Sequence, residues 1–159
     1  MRDLLREGLQ IVFCGTAKGA KSAATATFYA DGTNRFYRVL HEVGLTDRQI
    51  RPENFSDLLS FGIGLTDLNQ IESGTDRQIS MANCDISGFS AKIAKFKPRA
   101  VAFTSKMAAK IYFNTRHIQC GLRPETLSGA KLIVLPSTSG LNGHWSKDQH
   151  HWRDLPSML

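Results

Sequence analysis

Three short apolar runs constrain the fold of this chain more than any other feature. They cover residues 9–14, 100–103 and 132–135, and only Gln10 interrupts them. Each run stops at a loop of small and polar residues. Continuous apolar runs of this length are typical of parallel strands that are buried on both faces. A fourth strand is predicted at residues 62–68, where the chain then passes into a loop.

Helical patterns lie between these runs. From Asn34 onward, Phe36, Val39, Leu40 and Val43 recur at the spacing of one buried helix face, and glycine follows at position 44. Further helices are predicted at residues 2–7, 52–60, 87–97, 106–113 and, in part, 147–159. The segment 69–84 is predicted to be a long exposed connection. Alternating strands and helices indicate an α/β fold with a short, mostly parallel sheet and helices on both faces.

For the helix at residues 106–113, the sequence predicts both the residue that caps its start and the side chains that it buries. Ser105 is the expected cap. The apolar side chains expected in the core are Met107, Ile111 and Tyr112.

Length and charge limit the class of protein. The 159 residues suggest a single domain over 1–159, and 42% apolar with 21% charged residues is an ordinary globular composition. The net charge of +6 and the pI near 9.5 favour an anionic partner such as nucleic acid, a nucleotide or a membrane surface. No apolar run is long enough to span a bilayer, and the first residues lack a signal-peptide core, so a cytoplasmic location is expected.

Cysteine and histidine spacing gives no reason to expect a metal or another cofactor. Cys14, Cys84 and Cys120 are far apart and form no C-x-x-C pair, so we expect reduced thiols, with Cys14 in the core. His150 and His151 lie in the tail without a supporting cysteine or a helical H-x-x-x-H pair.

Two loops are the candidate binding elements, because each follows a predicted buried strand. Loop one runs over residues 15–29 and loop two over residues 136–145. In a parallel sheet both emerge at the same edge and face one crevice. Gly15 and Gly19 allow a ligand to approach the backbone, but they match neither a P-loop nor a dinucleotide fingerprint. Two tight turns in an α/β domain would explain them equally well.

Polar and aromatic side chains near these loops have two interpretations each. We expect Phe28 to point inward and Tyr29 to face the crevice, where an aromatic ring can stack on a base. Asn34 is either a helix cap or a functional amide. Asp67, near a strand end, either caps a turn or acts as a general base or water anchor.

Loop two contains Leu141 between glycine and an Asn-Gly pair. An exposed leucine on a tight loop can act as a wedge between base steps, although it can also tuck under its own loop. Basic residues that could contact phosphates follow it, namely His144, Lys147, His150, His151 and Arg153.

These motifs and their spacing resemble the uracil-DNA glycosylase superfamily, nearest its mismatch-specific uracil/thymine branch. The resemblance rests on residues 12–15, Gly19, 22–23, 29–30, 34–37, 44–49 and 64–66, and on 135–137 with 139–141. It spans residues 9–68 and 131–145.

The resemblance implies a three-layer α/β/α sandwich around a four-stranded, mainly parallel sheet. It also implies a cofactor-free monomer that flips a uracil or another damaged base out of DNA and hydrolyses its N-glycosidic bond. The substrate-binding residues would be Gly15, Thr16, Ala17, Ser22, Tyr29 and Ser137. The DNA-binding residues would be Lys18, Ser139, Gly140, Leu141, Asn142 and His144.

One departure from the family pattern concerns catalysis. This branch usually has Gly-Ile-Asn-Pro-Gly in loop one, whereas this chain has Ala17 at the catalytic position and therefore lacks that group. Asn34 or Asp67 could replace it, or catalysis could rest on electrostatic stabilisation of the leaving base. A chain without activity that only binds lesions is the second hypothesis, and a nucleoside hydrolase is the third. Since both loops keep useful polar groups, an active glycosylase is the preferred interpretation.

Overall fold

A computed structural model describes residues 3–159 and contains one five-stranded sheet. The strands are β1 (Ile11–Gly15), β2 (Ile63–Asp67), β3 (Ala100–Phe103), β4 (Gly121–Leu127) and β5 (Ala130–Val134). Their spatial order is β2-β1-β3-β5-β4. All neighbours are parallel except β4, which runs antiparallel to β5. The α/β class is therefore confirmed, but the sheet has five strands rather than the predicted four.

The additional strand β4 was missed for a physical reason. It lies at the edge of the sheet, and all of its residues are exposed or half-buried. It contains Pro124, and its register with β5 shifts between Leu122 and Thr126. An edge strand tolerates proline and needs no apolar pattern, so the sequence carries no strand signal there.

The helices are α1 (Ala20–Thr25), α2 (Phe36–Glu42), α3 (Ile86–Phe96), α4 (Lys106–Phe113), α5 (Trp145–Asp148) and α6 (His150–Met158). Segments Pro52–Phe61 and Met81–Asn83 are 3₁₀ helices. The predicted helix at 52–60 thus exists in the 3₁₀ form.

The prediction of a helix at residues 2–7 is wrong over residues 3–7; residue 2 lies outside the described residues. Leu4 instead exchanges two backbone hydrogen bonds with Leu65 on β2, of 2.9 and 2.8 Å. Pairing with a strand satisfies its backbone groups without a helix.

Two apolar clusters cover the two faces of the sheet, which confirms the three-layer arrangement. On one face, α2, the Pro52–Phe61 helix and α6 pack around Phe13, Phe36 and Trp152. On the other face, α3 and α4 pack against β1, β3 and β5 around Phe89 and Phe103. Ser105 caps α4 as predicted, since its hydroxyl accepts a hydrogen bond from the Ala108 N–H.

The α4 core prediction is only partly correct. Met107 is exposed, Ile111 and Tyr112 are half-buried, and Ala108 and Ala109 are the fully buried residues of this helix. Small side chains let α4 lie close to the sheet, so its larger residues are displaced to the rim.

Within the described part of the chain, every helix is too short or too polar to cross a bilayer. Cys14, Cys84 and Cys120 are free thiols, and Cys14 is buried in the core as predicted.

Candidate active site at the carboxyl edge of the sheet

Parallel pairing brings the ends of three adjacent strands, β1, β2 and β3, together. Gly15 ends β1 and lies in register with Asp67, the last residue of β2. Thr104 directly follows β3, and its backbone N–H donates to the Cys14 carbonyl oxygen at 2.9 Å. The predicted crevice at the carboxyl edge of the sheet is therefore built from these strand ends, as expected for an open α/β sheet.

A buried ion pair dominates this edge. The Lys18 Nζ atom lies 2.8 Å from Asp67 Oδ2, and the two side chains are only 10% and 5% exposed. The same ammonium lies 4.6 Å from the centre of the Phe28 ring, a cation–π distance. Lys18, expected to contact DNA from loop one, instead points inward to the carboxylate.

Gly15 makes this arrangement possible. A Cβ atom at position 15 would lie 2.7 Å from Asp67 Oδ1 and 3.6 Å from both the Tyr29 and Thr104 hydroxyl oxygens. Any side chain there would collide with the carboxylate. The glycine that ends the first apolar run is thus required for close packing, and not for a positive φ angle.

The environment of Asp67 shifts its protonation. Burial raises the pKa of the Asp67 carboxyl above its ordinary value of 3.8, and the Lys18 ammonium opposes this shift. A buried carboxylate with one strong partner at a crevice has the features of a proton-transfer group.

Tyr29 forms a wall of the crevice. Its ring stacks on Phe36 with centroids 3.9 Å apart, and its hydroxyl lies 2.9 Å from the Thr104 Oγ1 atom. Its φ angle of 51° is unusual for a residue with a side chain. Phe28, as expected, points into the core.

The backbone beside Tyr29 is held from two directions. The buried Ser22 hydroxyl accepts a 2.9 Å hydrogen bond from the Ala30 N–H. The Tyr37 hydroxyl donates to the Phe28 carbonyl oxygen at 2.5 Å. Ser22, predicted to bind substrate, is placed here as a support of the Tyr29 segment.

Asn34 links loop two to helix α2. Its Oδ1 atom accepts hydrogen bonds from the Phe36 N–H at 2.9 Å and from the Thr138 hydroxyl at 2.8 Å. Because a backbone N–H can only donate, the atom that faces Phe36 must be the oxygen, which leaves the amide nitrogen directed elsewhere. Asn34 is not the N-cap of α2, since that position is Arg35. Its side chain instead accepts from the first helical N–H, that of Phe36, and contacts loop two.

Loop two is fastened to the residues around Asn34. The Arg35 N–H donates to the Thr138 carbonyl oxygen at 2.9 Å, and Arg35 Nη1 donates to the Ser139 carbonyl oxygen at 2.8 Å. Gly140 packs so closely on Thr33 that an added Cβ atom would overlap its side chain. The two predicted motifs thus meet, although more than 100 residues separate them in sequence.

Hydrogen bonds within loop two fix its conformation. The Ser139 hydroxyl accepts from the Leu141 N–H at 3.1 Å, and the Asn142 side chain donates to the Ser137 carbonyl oxygen at 2.8 Å. Asn142 Oδ1 accepts from the His144 N–H at 3.0 Å. This ordered loop presents Leu141 with 83% of its surface exposed, so the alternative of a leucine tucked under its loop is not what the structure has.

An open cleft of about 350 Å³ adjoins the crevice. Tyr29, Asn34 and Tyr37 line one part of it, and Arg38 and Arg51 add positive charge. Its volume falls within the range of small-molecule sites. Tyr29 belongs to both the cleft and the group of residues around Asp67, which joins the two parts of the candidate site.

The other predicted site residues differ in their exposure. Thr16 is buried and Ala17 half-buried, and the Thr16 carbonyl oxygen accepts from the Asn69 N–H at 2.8 Å. Ser137 is half-buried, and its hydroxyl accepts from the Ser139 N–H at 3.2 Å. His144 is exposed. The tail residues Lys147, His150 and Arg153 are exposed as well, whereas His151 is half-buried.

Sequence reasoning missed Thr104, Thr138 and Arg35. Thr104 had a usable signal, since it directly follows the apolar run at 100–103 and so had to emerge at the same edge as Gly15. Thr138 and Arg35 carry no local signal, because their contacts cross between two distant segments.

The connection at 69–84 forms the border of loop one. The Gly74 N–H donates to the Lys18 carbonyl oxygen at 2.9 Å. Glu72 Oε1 accepts from Asn69, Ser80 and Asn83 within 3.0 Å, and these hydrogen bonds lower the pKa of the Glu72 carboxyl. This long loop is therefore ordered by its own hydrogen bonds.

Comparison with solved structures supports this fold. The chain is similar to a solution NMR structure of a protein from Methanosarcina acetivorans that has been proposed to be a uracil DNA glycosylase. The TM-score is 0.70 at 22% identity, over 98% of this chain and 93% of that one. At this identity the similarity establishes the architecture.

The family follows from the sequence match. The family model of the Uracil DNA glycosylase superfamily matches residues 3–156, nearly the whole chain. The chain therefore belongs to the uracil-DNA glycosylase superfamily, a family of DNA glycosylases.

Proposed function

We propose that this protein is an active DNA glycosylase that removes uracil, or a related deaminated base such as hypoxanthine, from DNA by hydrolysis. The observation that carries the proposal is that one edge of the sheet has both a buried carboxylate, Asp67, and an exposed leucine, Leu141, on an ordered loop. The first suits chemistry on an extruded base, and the second suits a side chain that fills the vacated stack.

We assign Asp67 as the general base that activates the attacking water. Its carboxylate would take one proton from water while the water oxygen forms a bond to C1′. The C1′–N bond breaks with its electron pair left on the base, which then gains a proton. Asp67 would thereby supply the function that Ala17 cannot, since an alanine can neither orient nor deprotonate water.

The cleft beside Tyr29 and Asn34 would receive the extruded base. Tyr29 offers a ring face, and Asn34 offers its amide nitrogen, because its oxygen already accepts two hydrogen bonds. A donor aimed at a base oxygen stabilises the negative charge that develops as the base leaves. Asn34 would therefore assist departure, whereas Asp67 would activate water.

Cleavage of labelled oligonucleotides tests this proposal. Duplex and single-stranded DNA with one uracil should acquire an alkali-labile site under enzyme excess, and a thymine-containing duplex of the same sequence should not. Parallel substrates with hypoxanthine and with a G·T mismatch identify the preferred base. The Asp67→Asn variant controls for a contaminating glycosylase.

A lesion-binding module is the second candidate, favoured by the departure at Ala17. It predicts that the protein binds uracil or abasic duplexes more tightly than undamaged DNA and releases no base from any substrate. Base release by the wild type that Asp67→Asn abolishes would exclude it.

A further inference from the structure

We infer that Lys18 is a positioning residue that keeps Asp67 ionised and aligned for water activation. The inference rests on the proposed function, but it assigns a role to a loop-one side chain that does not itself contact the reacting atoms. It also gives a reason for a lysine to lie next to Ala17 in the loop.

The geometry of the pair supports this role. Lys18 Nζ contacts Oδ2 of Asp67 at 2.8 Å, while Oδ1 faces the backbone of Gly15. One oxygen is thus held by the ammonium and the other is directed toward the strand ends of the crevice. The Phe28 ring below the ammonium fixes the position of Lys18 from the other side.

The remaining charged and titratable groups around Asp67 offset one another. Asp3, from the N-terminal segment, and Lys92, from α3, act on Asp67 with opposite signs, and they are themselves paired at 2.5 Å. Cys14 and Tyr29 also lie close enough to interact electrostatically with Asp67, and burial raises both pKa values well above their ordinary range, so both groups are neutral. Lys18 is therefore the dominant charge on Asp67.

The sign of the effect follows from these surroundings. Burial raises the pKa of Asp67, and Lys18 lowers it. Without the ammonium the pKa would rise further, so a larger fraction of Asp67 would be protonated near neutral pH and unable to accept a proton from water. An opposite charge at this distance typically lowers a carboxyl pKa by roughly 1–3 units.

The decisive experiment compares pH profiles of single-turnover base release. In Lys18→Met the acidic limb should move to higher pH by roughly 1–3 units, with about 10- to 1,000-fold slower release at a fixed pH below the limb and recovery at alkaline pH. Lys18→Arg keeps the charge and should retain most of the wild-type profile. Lys21→Met removes an exposed lysine of α1 and should leave the profile unchanged.

A second measurement needs neither activity nor a variant that folds. The carboxyl carbon of Asp67 can be titrated by NMR in the wild-type protein without DNA, and it should report an ionised group at pH 7. A protonated Asp67 at pH 7, or a Lys18→Met profile reduced equally at every pH, would overturn the inference. Absence of base release by the wild type would instead contradict the proposed function, and the NMR titration would still decide the ionisation of the pair.

Discussion

The two loops at the carboxyl edge of the sheet place unlike side chains in opposite environments. Loop one turns Lys18 inward, where it pairs with Asp67 and both side chains are largely buried. Loop two turns its apolar residue outward, where Leu141 is 83% exposed although a leucine is usually buried. Each placement opposes the ordinary preference of the side chain, and each requires support from neighbouring residues.

The nature of that support differs between the loops. The Lys18–Asp67 pair is held by packing, since Gly15 leaves room for the carboxylate and Phe28 lies against the ammonium. The segment around Leu141 is held by hydrogen bonds of Ser139 and Asn142 within loop two. Under the proposed function, chemistry would belong to the Lys18–Asp67 side of the crevice and DNA distortion to loop two, and each prediction below tests one side of this comparison.

The largest effect is expected from Asp67→Asn. Removal of a general base should slow single-turnover release of uracil by about 10²- to 10⁴-fold. Asp57→Asn, which changes an exposed carboxylate on the Pro52–Phe61 helix, should leave the rate unchanged. A full wild-type rate in folded Asp67→Asn would remove Asp67 from the mechanism and leave loop one without its proposed role.

Asn34 tests the contact between the two loops. Asn34→Asp keeps the oxygen that accepts from Phe36 and Thr138 but removes the amide donor, so it should preserve thermal stability and slow base release by about 10²-fold. Asn34→Ala should also lose about 1–3 kcal/mol of stability, because the hydrogen bonds from the Phe36 N–H and the Thr138 hydroxyl are removed. If Asn34→Asp releases uracil at the wild-type rate, Asn34 has only a structural role.

Gly15→Ala tests the packing of loop one. The added methyl group would meet Asp67 Oδ1 at 2.7 Å and displace the carboxylate, so base release should fall by about 10²-fold. Gly19→Ala is the matched control, since nothing lies within 4 Å of a Cβ atom there. Equal rates for the two variants, measured under single turnover with melting curves for both, would show that the close approach at Gly15 is not needed.

Leu141→Ala is expected to have the smallest effect, and a selective one. The loss of apolar surface that would be buried in the duplex should weaken activity on double-stranded DNA by about tenfold, with little change on single strands. Leu122→Ala, an exposed leucine on the edge strand, serves as the control. Similar losses on both substrates would contradict a wedge.

Much of the fold could be predicted because burial leaves a local pattern. The runs at 9–14, 100–103 and 132–135 became the three central strands, as a strand buried on both faces must be apolar along its whole length. The edge strand β4 and the paired segment around Leu4 could not be predicted this way. A neighbouring strand satisfies the backbone hydrogen bonds of both segments, and their side chains need no apolar pattern.

The candidate site shows the same division. The sequence by itself determined which elements end at one edge, and so brought Gly15, Asp67 and loop two into one crevice. Only the tertiary structure decided that Lys18 faces Asp67, 49 residues away, rather than solvent. The physical reason is that the flexible lysine side chain can reach solvent or a nearby carboxylate, and burial of its charge is tolerated only where such a partner compensates for the lost hydration. Which of the two it takes depends on the cavity that the strands, Gly15 and Phe28 form together.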